Sequence, residues 1–161
     1  MNRAILLIAF IFSLTSYSQE VIIGKVISIT DGDTFKILNQ DSTQLKIRVA
    51  NIDCPERKQP FSQRAKEFTS NAVFNKNVQL NVLNEDRYGR YVALVKYNDS
   101  LDLSQELIKN GLAWHYKKYS KDSLLQHMEN RARNQKIGLW NNPHPIAPWE
   151  WRSSKKNKIK K

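Results

Sequence analysis

The hydrophobic period changes along this chain, and the order of those changes constrains its fold more than any other feature. Val21, Ile22, Ile23, Val26, Ile27 and Ile29 form a β-branched run, the composition of a strand. Asp31-Gly32-Asp33 is a turn signal, and Thr34 to Leu38 reads as a second short strand. After a polar turn over Asn39 to Ser42, Leu45, Ile47 and Val49 alternate as a third. Phe61, Ala65, Phe68 and Ala72 then recur at helical spacing. Alternation returns with Val78, Leu80 and Val82, and again with Val92, Leu94 and Lys96. Leu103, Leu107 and Ile108 mark a second helix with Gly111 as its stop, and Leu124, Leu125, Met128 and Ala132 a third. The expected order is βββαββαα. An α+β chain of five short strands with a helix between the third and fourth predicts an OB-fold, a small five-stranded β-barrel, here with three helices.

The 161-residue length fits one such domain. Its ends read differently from its body. Asn2-Arg3, an apolar stretch from Ala4 to Leu14 and the small residues Ser16 and Ser18 make the three-part pattern of a signal peptide. The apolar run is shorter than the roughly 20 residues of a membrane-spanning helix. The expectation is a cleaved leader over residues 1–18 and a secreted, extracellular or periplasmic, mature chain that does not stay inserted in the membrane. At the other end Arg152, Lys155, Lys156, Lys158, Lys160 and Lys161 stand without an acid among them. Residues 152–161 are expected to be a disordered basic tail, leaving 19–151 as the folded domain.

A net charge of +11 points to an acidic partner, with nucleic acid the first class to consider. A single cysteine excludes an internal disulfide framework and cysteine-rich zinc sites. His115, His127 and His144 lack metal-ligand spacing.

Three clusters carry candidate chemistry: Asp31-Gly32-Asp33-Thr34; Arg48 with Asp53-Cys54-Pro55-Glu56; and Asp86-Arg87-Tyr88-Gly89-Arg90. Each alone also suits a turn or a helix start. Together they offer carboxylates for a hard divalent cation, arginines that fork onto phosphate, and a spare carboxylate to take a proton from water.

On those motifs the chain resembles the staphylococcal (thermonuclease-like) nuclease family, over roughly Val21 to Trp140. The resemblance implies hydrolysis of DNA and RNA with little sequence preference, dependence on Ca²⁺ and three-prime phosphate products. It implies Asp33, Asp53 and the backbone carbonyl of Cys54 as metal ligands, with Asp31 supporting them through water. It implies Glu56 as general base and Arg48 and Arg90 on the scissile phosphate. Arg87, Tyr88, Tyr116 and Tyr119 are the implied nucleic-acid contacts. The family's best-known member carries Thr where this chain has Cys54, a position at which only the backbone is used. The expected active form is a monomer. The rival reading is a non-catalytic OB module that binds nucleic acid through its basic surface.

Overall fold

The first three apolar runs are the strands β1 (Val21–Ile29), β2 (Thr34–Asn39) and β3 (Gln44–Val49). They belong to a computed structural model that describes residues 21–159, with side chains through residue 155; the expected leader lies outside the described residues. A two-residue strand β4 (Ile52–Asp53) and helix α1 (Ser62–Val73) follow. The later alternating runs are β5 (Asn77–Glu85) and β6 (Tyr91–Tyr97), with a short β7 (Leu101–Asp102) after them. The chain ends in α2 (Leu103–Lys109), a two-residue β8 (Trp114–His115), α3 (Ser123–Asn134), a 3₁₀ turn (Gly138–Asn141) and α4 (Pro148–Ile159).

β3, β2, β1, β5 and β6 pair in that spatial order, and a parallel β3–β6 pairing joins the two ends. The barrel is therefore closed, with no free edge among its five main strands. Val26, Phe35, Ile37, Ile47, Leu80 and Val95 fill it and are fully buried. Ala65, Thr69 and Val73 of α1 and Leu103, Leu107 and Ile108 of α2 close the core. Asp102 caps α2 by accepting from the N–H of Gln105 at 3.0 Å, and Gly111, at φ 59°, ends its last turn.

The five-stranded α+β barrel is the one the sequence predicts, with a fourth helix. That helix crosses the expected end of the domain. Residues 152–159 continue α4, so the boundary placed after Trp151 falls inside a helix rather than before a disordered tail. Composition misleads here because Trp149 and Arg152, three apart on one helical face, both dock on the body. Trp149 packs edge-on against Trp114 with ring centroids 5.7 Å apart.

Candidate functional site

The turn between β1 and β2 presents the first cluster. The N–H groups of Thr30 and Asp31 both donate to the carbonyl of Thr34, at 2.9 and 3.1 Å. The Asp33 N–H donates to Asp31 Oδ1 at 3.2 Å, and the Thr69 hydroxyl from α1 donates to the Gly32 carbonyl at 2.6 Å. Gly32 is fixed by crowding: a Cβ there would lie 2.7 Å from Ala65 Cβ and 2.9 Å from Cys54 Sγ. Gly32→Ala should therefore cost roughly 1–3 kcal/mol of stability, the range for an overpacked interior. A melting temperature within a degree of wild type would show that α1 can yield at this point.

Arg48, on β3, joins the first cluster to the second. Its guanidinium pairs with Asp33 Oδ2 and donates to Asp53 Oδ1 at 2.9 Å and to the Ile52 carbonyl at 3.1 Å. The side chains of Arg48, Asp33 and Asp53 are 13, 7 and 2% exposed. The Cys54 N–H donates to Asp33 Oδ2 at 2.6 Å. Burial opposes the charge on Arg48, but Asp33 and Asp53 outweigh it and raise its pKa further. Burial also raises Asp53, against the pull of Arg152 and Arg48. Asp31 is pushed up to about 7, by burial first and by the charge of Asp33 second. The Cys54 thiol is buried and raised well above its ordinary value, which keeps it neutral.

Glu56 lies between β4 and α1, where its N–H donates to Gln59 Oε1 at 2.9 Å. Gln59 in turn donates to the Ile146 carbonyl at 2.6 Å, tying this loop to the chain's C-terminal part. Arg152 reaches the same place from α4. It donates to Glu56 Oε1 at 2.5 Å, to Asp53 Oδ2 at 2.8 Å and to Asp53 Oδ1 at 3.3 Å.

The third cluster is the β5–β6 turn. Gly89, at φ 68°, lets the chain reverse, and Asp86 Oδ1 accepts from the N–H groups of Tyr88 and Arg90 at 2.9 and 3.1 Å. Nε and Nη2 of Arg90 both lie 2.7 Å from Asp86 Oδ2. Slight burial works against the Asp86 charge, but the Arg90 hydrogen bond and the two N–H groups hold its carboxyl below the usual range. Arg48 registers with Val92 across the β3–β6 seam. Arg90 immediately precedes β6, at the end of the seam where Tyr91 registers with Ile47. Arg87 and Tyr88 bond each other at 2.7 Å on the exposed side of this turn.

Tyr116 is brought close by β8, whose Trp114 pairs with Asp53 and whose His115 pairs with Ile52. The Tyr116 N–H donates to the Asn51 carbonyl at 2.9 Å. Its ring stacks on Trp149 at 5.3 Å and meets Tyr119 edge-on at 5.0 Å. Tyr119 is 70% exposed, and the two tyrosines border the basic side chains Lys117 and Lys118. Beside them a cavity of about 500 Å³ is lined by Trp114, Tyr116, Arg133 and Trp149.

Four carboxyls, Asp31, Asp33, Asp53 and Glu56, thus face two guanidiniums, Arg48 and Arg152. The excess is negative and every side-chain donor is oxygen, which suits a hard cation. Among the described residues no three His, Cys, Asp or Glu side chains form a ready-made cage. A cation here would take Asp33 and Asp53 and complete its shell with backbone carbonyl, water and substrate oxygen. Sequence reasoning missed Arg152, whose signal is hidden in a run of like charges. It also missed Gln59, which carries no motif.

Residues 46–142 match the family model described as staphylococcal nuclease homologue. A Haemophilus influenzae protein named "uncharacterized endonuclease" is 39% identical, covering 96% of this chain and 88% of its own length. An Escherichia coli O157:H7 protein of the same description is 36% identical over 96% of this chain and all of its own length. A Shigella flexneri protein named "micrococcal nuclease" is 35% identical over 83% of this chain and 82% of its own.

Proposed function

The chain belongs to the staphylococcal nuclease homologue family, and from that premise we propose that it is an exported, Ca²⁺-dependent endonuclease cutting DNA and RNA with little sequence preference. The observation that carries this reading is Arg48 held between Asp33 and Asp53, with Arg90 next to the β6 end of the seam that Arg48 shares. A phosphodiester gains negative charge as water attacks it. Two guanidiniums fixed beforehand stabilise that charge without reorganising. Asp33, Asp53 and the Cys54 carbonyl would hold Ca²⁺, with Asp31 supporting through water. When bound, the cation supplies further positive charge at the phosphate oxygens. Glu56 takes the proton from the attacking water at a carboxylate oxygen, once that oxygen is free of Arg152. The bond to the five-prime oxygen breaks, and that oxygen takes a proton from solvent, leaving a three-prime phosphate and a five-prime hydroxyl. Tyr116 and Tyr119 offer ring faces and Arg87 with Tyr88 an exposed contact for the flanking nucleotides.

The test incubates purified protein with plasmid and with RNA, in Ca²⁺ or in chelator. Cleavage in Ca²⁺ alone is expected, with ends that a polymerase extends only after phosphatase treatment. Binding without cleavage under any divalent metal would leave the non-catalytic module. The carbonyl assignment at Cys54 has its own check. Cys54→Thr should bind Ca²⁺ within about twofold of wild type, because a soft thiol is no partner for a hard cation. Its buried hydroxyl should lower stability by about 1 kcal/mol. Loss of Ca²⁺ binding in a folded variant would give the side chain a direct role.

A further inference from the structure

Arg152 covers two carboxylates of the cluster, Asp53 and Glu56. Its fork takes Oδ2 of Asp53 at 2.8 Å and shares Oδ1 at 3.3 Å, while Arg48 holds that Oδ1 from the barrel side at 2.9 Å. Both oxygens of Asp53 are therefore engaged by arginine, and at 2.5 Å so is Oε1 of Glu56. The two arginines are not equivalent. Arg48 is 13% exposed and built into a barrel strand; Arg152 is 39% exposed and sits on the last helix of the fold. Of the two, only Arg152 can leave without opening the barrel. Its contact with Glu56 also argues against a role as a helper of that residue, because it fills the oxygen that would receive the proton.

We infer that Arg152 is a resident counter-ion of the site: it closes over Asp53 and Glu56 in the cation-free protein and is exchanged for the metal cation. The inference rests on the reading of Asp53 as a cation ligand. Exchange keeps a positive charge against Asp53 and Glu56 in both states, so these acids are never left without a counter-charge on that side. It also couples cation binding to α4. When Arg152 is displaced, the helix keeps Trp149 against Tyr116 and Trp114 but loses its ionic anchor. The same displacement frees Glu56, so base and cation become available in one step. A latch that is closed most of the time weakens apparent binding by the fraction of open protein; one closed nine-tenths of the time costs about tenfold.

The test titrates Ca²⁺ alone into the purified protein by calorimetry and follows amide exchange across α4. Arg152→Gln should bind Ca²⁺ about tenfold more tightly than wild type. Arg152→Lys, which keeps the charge and cannot span both carboxylates, should tighten binding less. Lys155→Gln removes a neighbouring charge that packs on Trp151, and should stay within about twofold of wild type. In wild type, Ca²⁺ should speed exchange in α4; in Arg152→Gln exchange should be fast from the start and indifferent to Ca²⁺. Equal, measurable affinities in wild type and Arg152→Gln would overturn the latch alone, as would α4 exchange that Ca²⁺ leaves unchanged in wild type. A tightening in Lys155→Gln as large as in Arg152→Gln would reduce the effect to net charge and overturn it too. Folded proteins that bind no Ca²⁺ at all would remove the cation reading of Asp53, and the latch with it.

Discussion

Arg48→Gln should cut cleavage by orders of magnitude and leave a barrel that melts many degrees early. Two effects combine at this residue. Its guanidinium is the inner partner of Asp33 and of Asp53, both buried. Removing one member of such a pair leaves uncompensated charge in the interior, at a cost of about 3–5 kcal/mol. Turnover should fall by at least ~10²–10³-fold, the range for losing one preorganised donor to a developing negative charge. Arg48→Lys separates the two effects. It restores a positive charge between the aspartates and should recover much of the melting temperature. It cannot reach both aspartates and a phosphate from one planar fork, so turnover should stay low. Normal turnover in a stable Arg48→Lys protein would take Arg48 out of the chemistry and leave it a structural counter-ion.

The cluster around Arg48 is legible in the sequence because its members lie near one another along the chain. Asp33, Arg48 and Asp53 belong to turns and strand ends close together in the chain, so a short reading frame captures them. The barrel strands are legible for a related reason. Ile47 and Val49, or Val78 and Leu80, alternate over enough residues to fix a period and a buried face. Two features lack such local signals. β4 and β8 have two residues each, too few to show a period, yet their pairing sets Trp114 opposite Asp53 and Tyr116 against Asn51. The parallel seam between β3 and β6 depends on contacts that skip over α1 and β5, and it alone brings the start of β6, next to Arg90, beside the strand of Arg48. Arg152 is the extreme case. Its partners Asp53 and Glu56 lie 99 and 96 residues away, and a basic run beside it has the composition of a solvated tail. Charge content says that the segment is soluble; it does not say that one of its arginines has acids to meet.

Arg90 allows the chemistry to be tested with little interference from stability. Arg90→Lys should lower turnover by ~10²–10³-fold while the melting temperature stays within a few degrees of wild type. The stability expectation follows from exposure. Arg90 and Asp86 are 23 and 19% exposed at a turn, and such a pair contributes about 1 kcal/mol at most. A lysine can still pair with Asp86. The catalytic expectation follows from shape. Nε and Nη2 of Arg90 rest on one Asp86 oxygen, which fixes the plane of the guanidinium and leaves Nη1 for a phosphate oxygen. An ammonium has no plane to fix. Because the extra negative charge exists only as phosphorus is attacked, KM should change less than kcat. Asp86→Asn should fall between the two proteins, by about tenfold in kcat, since it leaves Arg90 in place but less firmly held. A rise in KM with unchanged kcat in Arg90→Lys would make Arg90 a contact for bound substrate rather than for the transition state. In that event Arg48 would be the only arginine acting on the reacting phosphate.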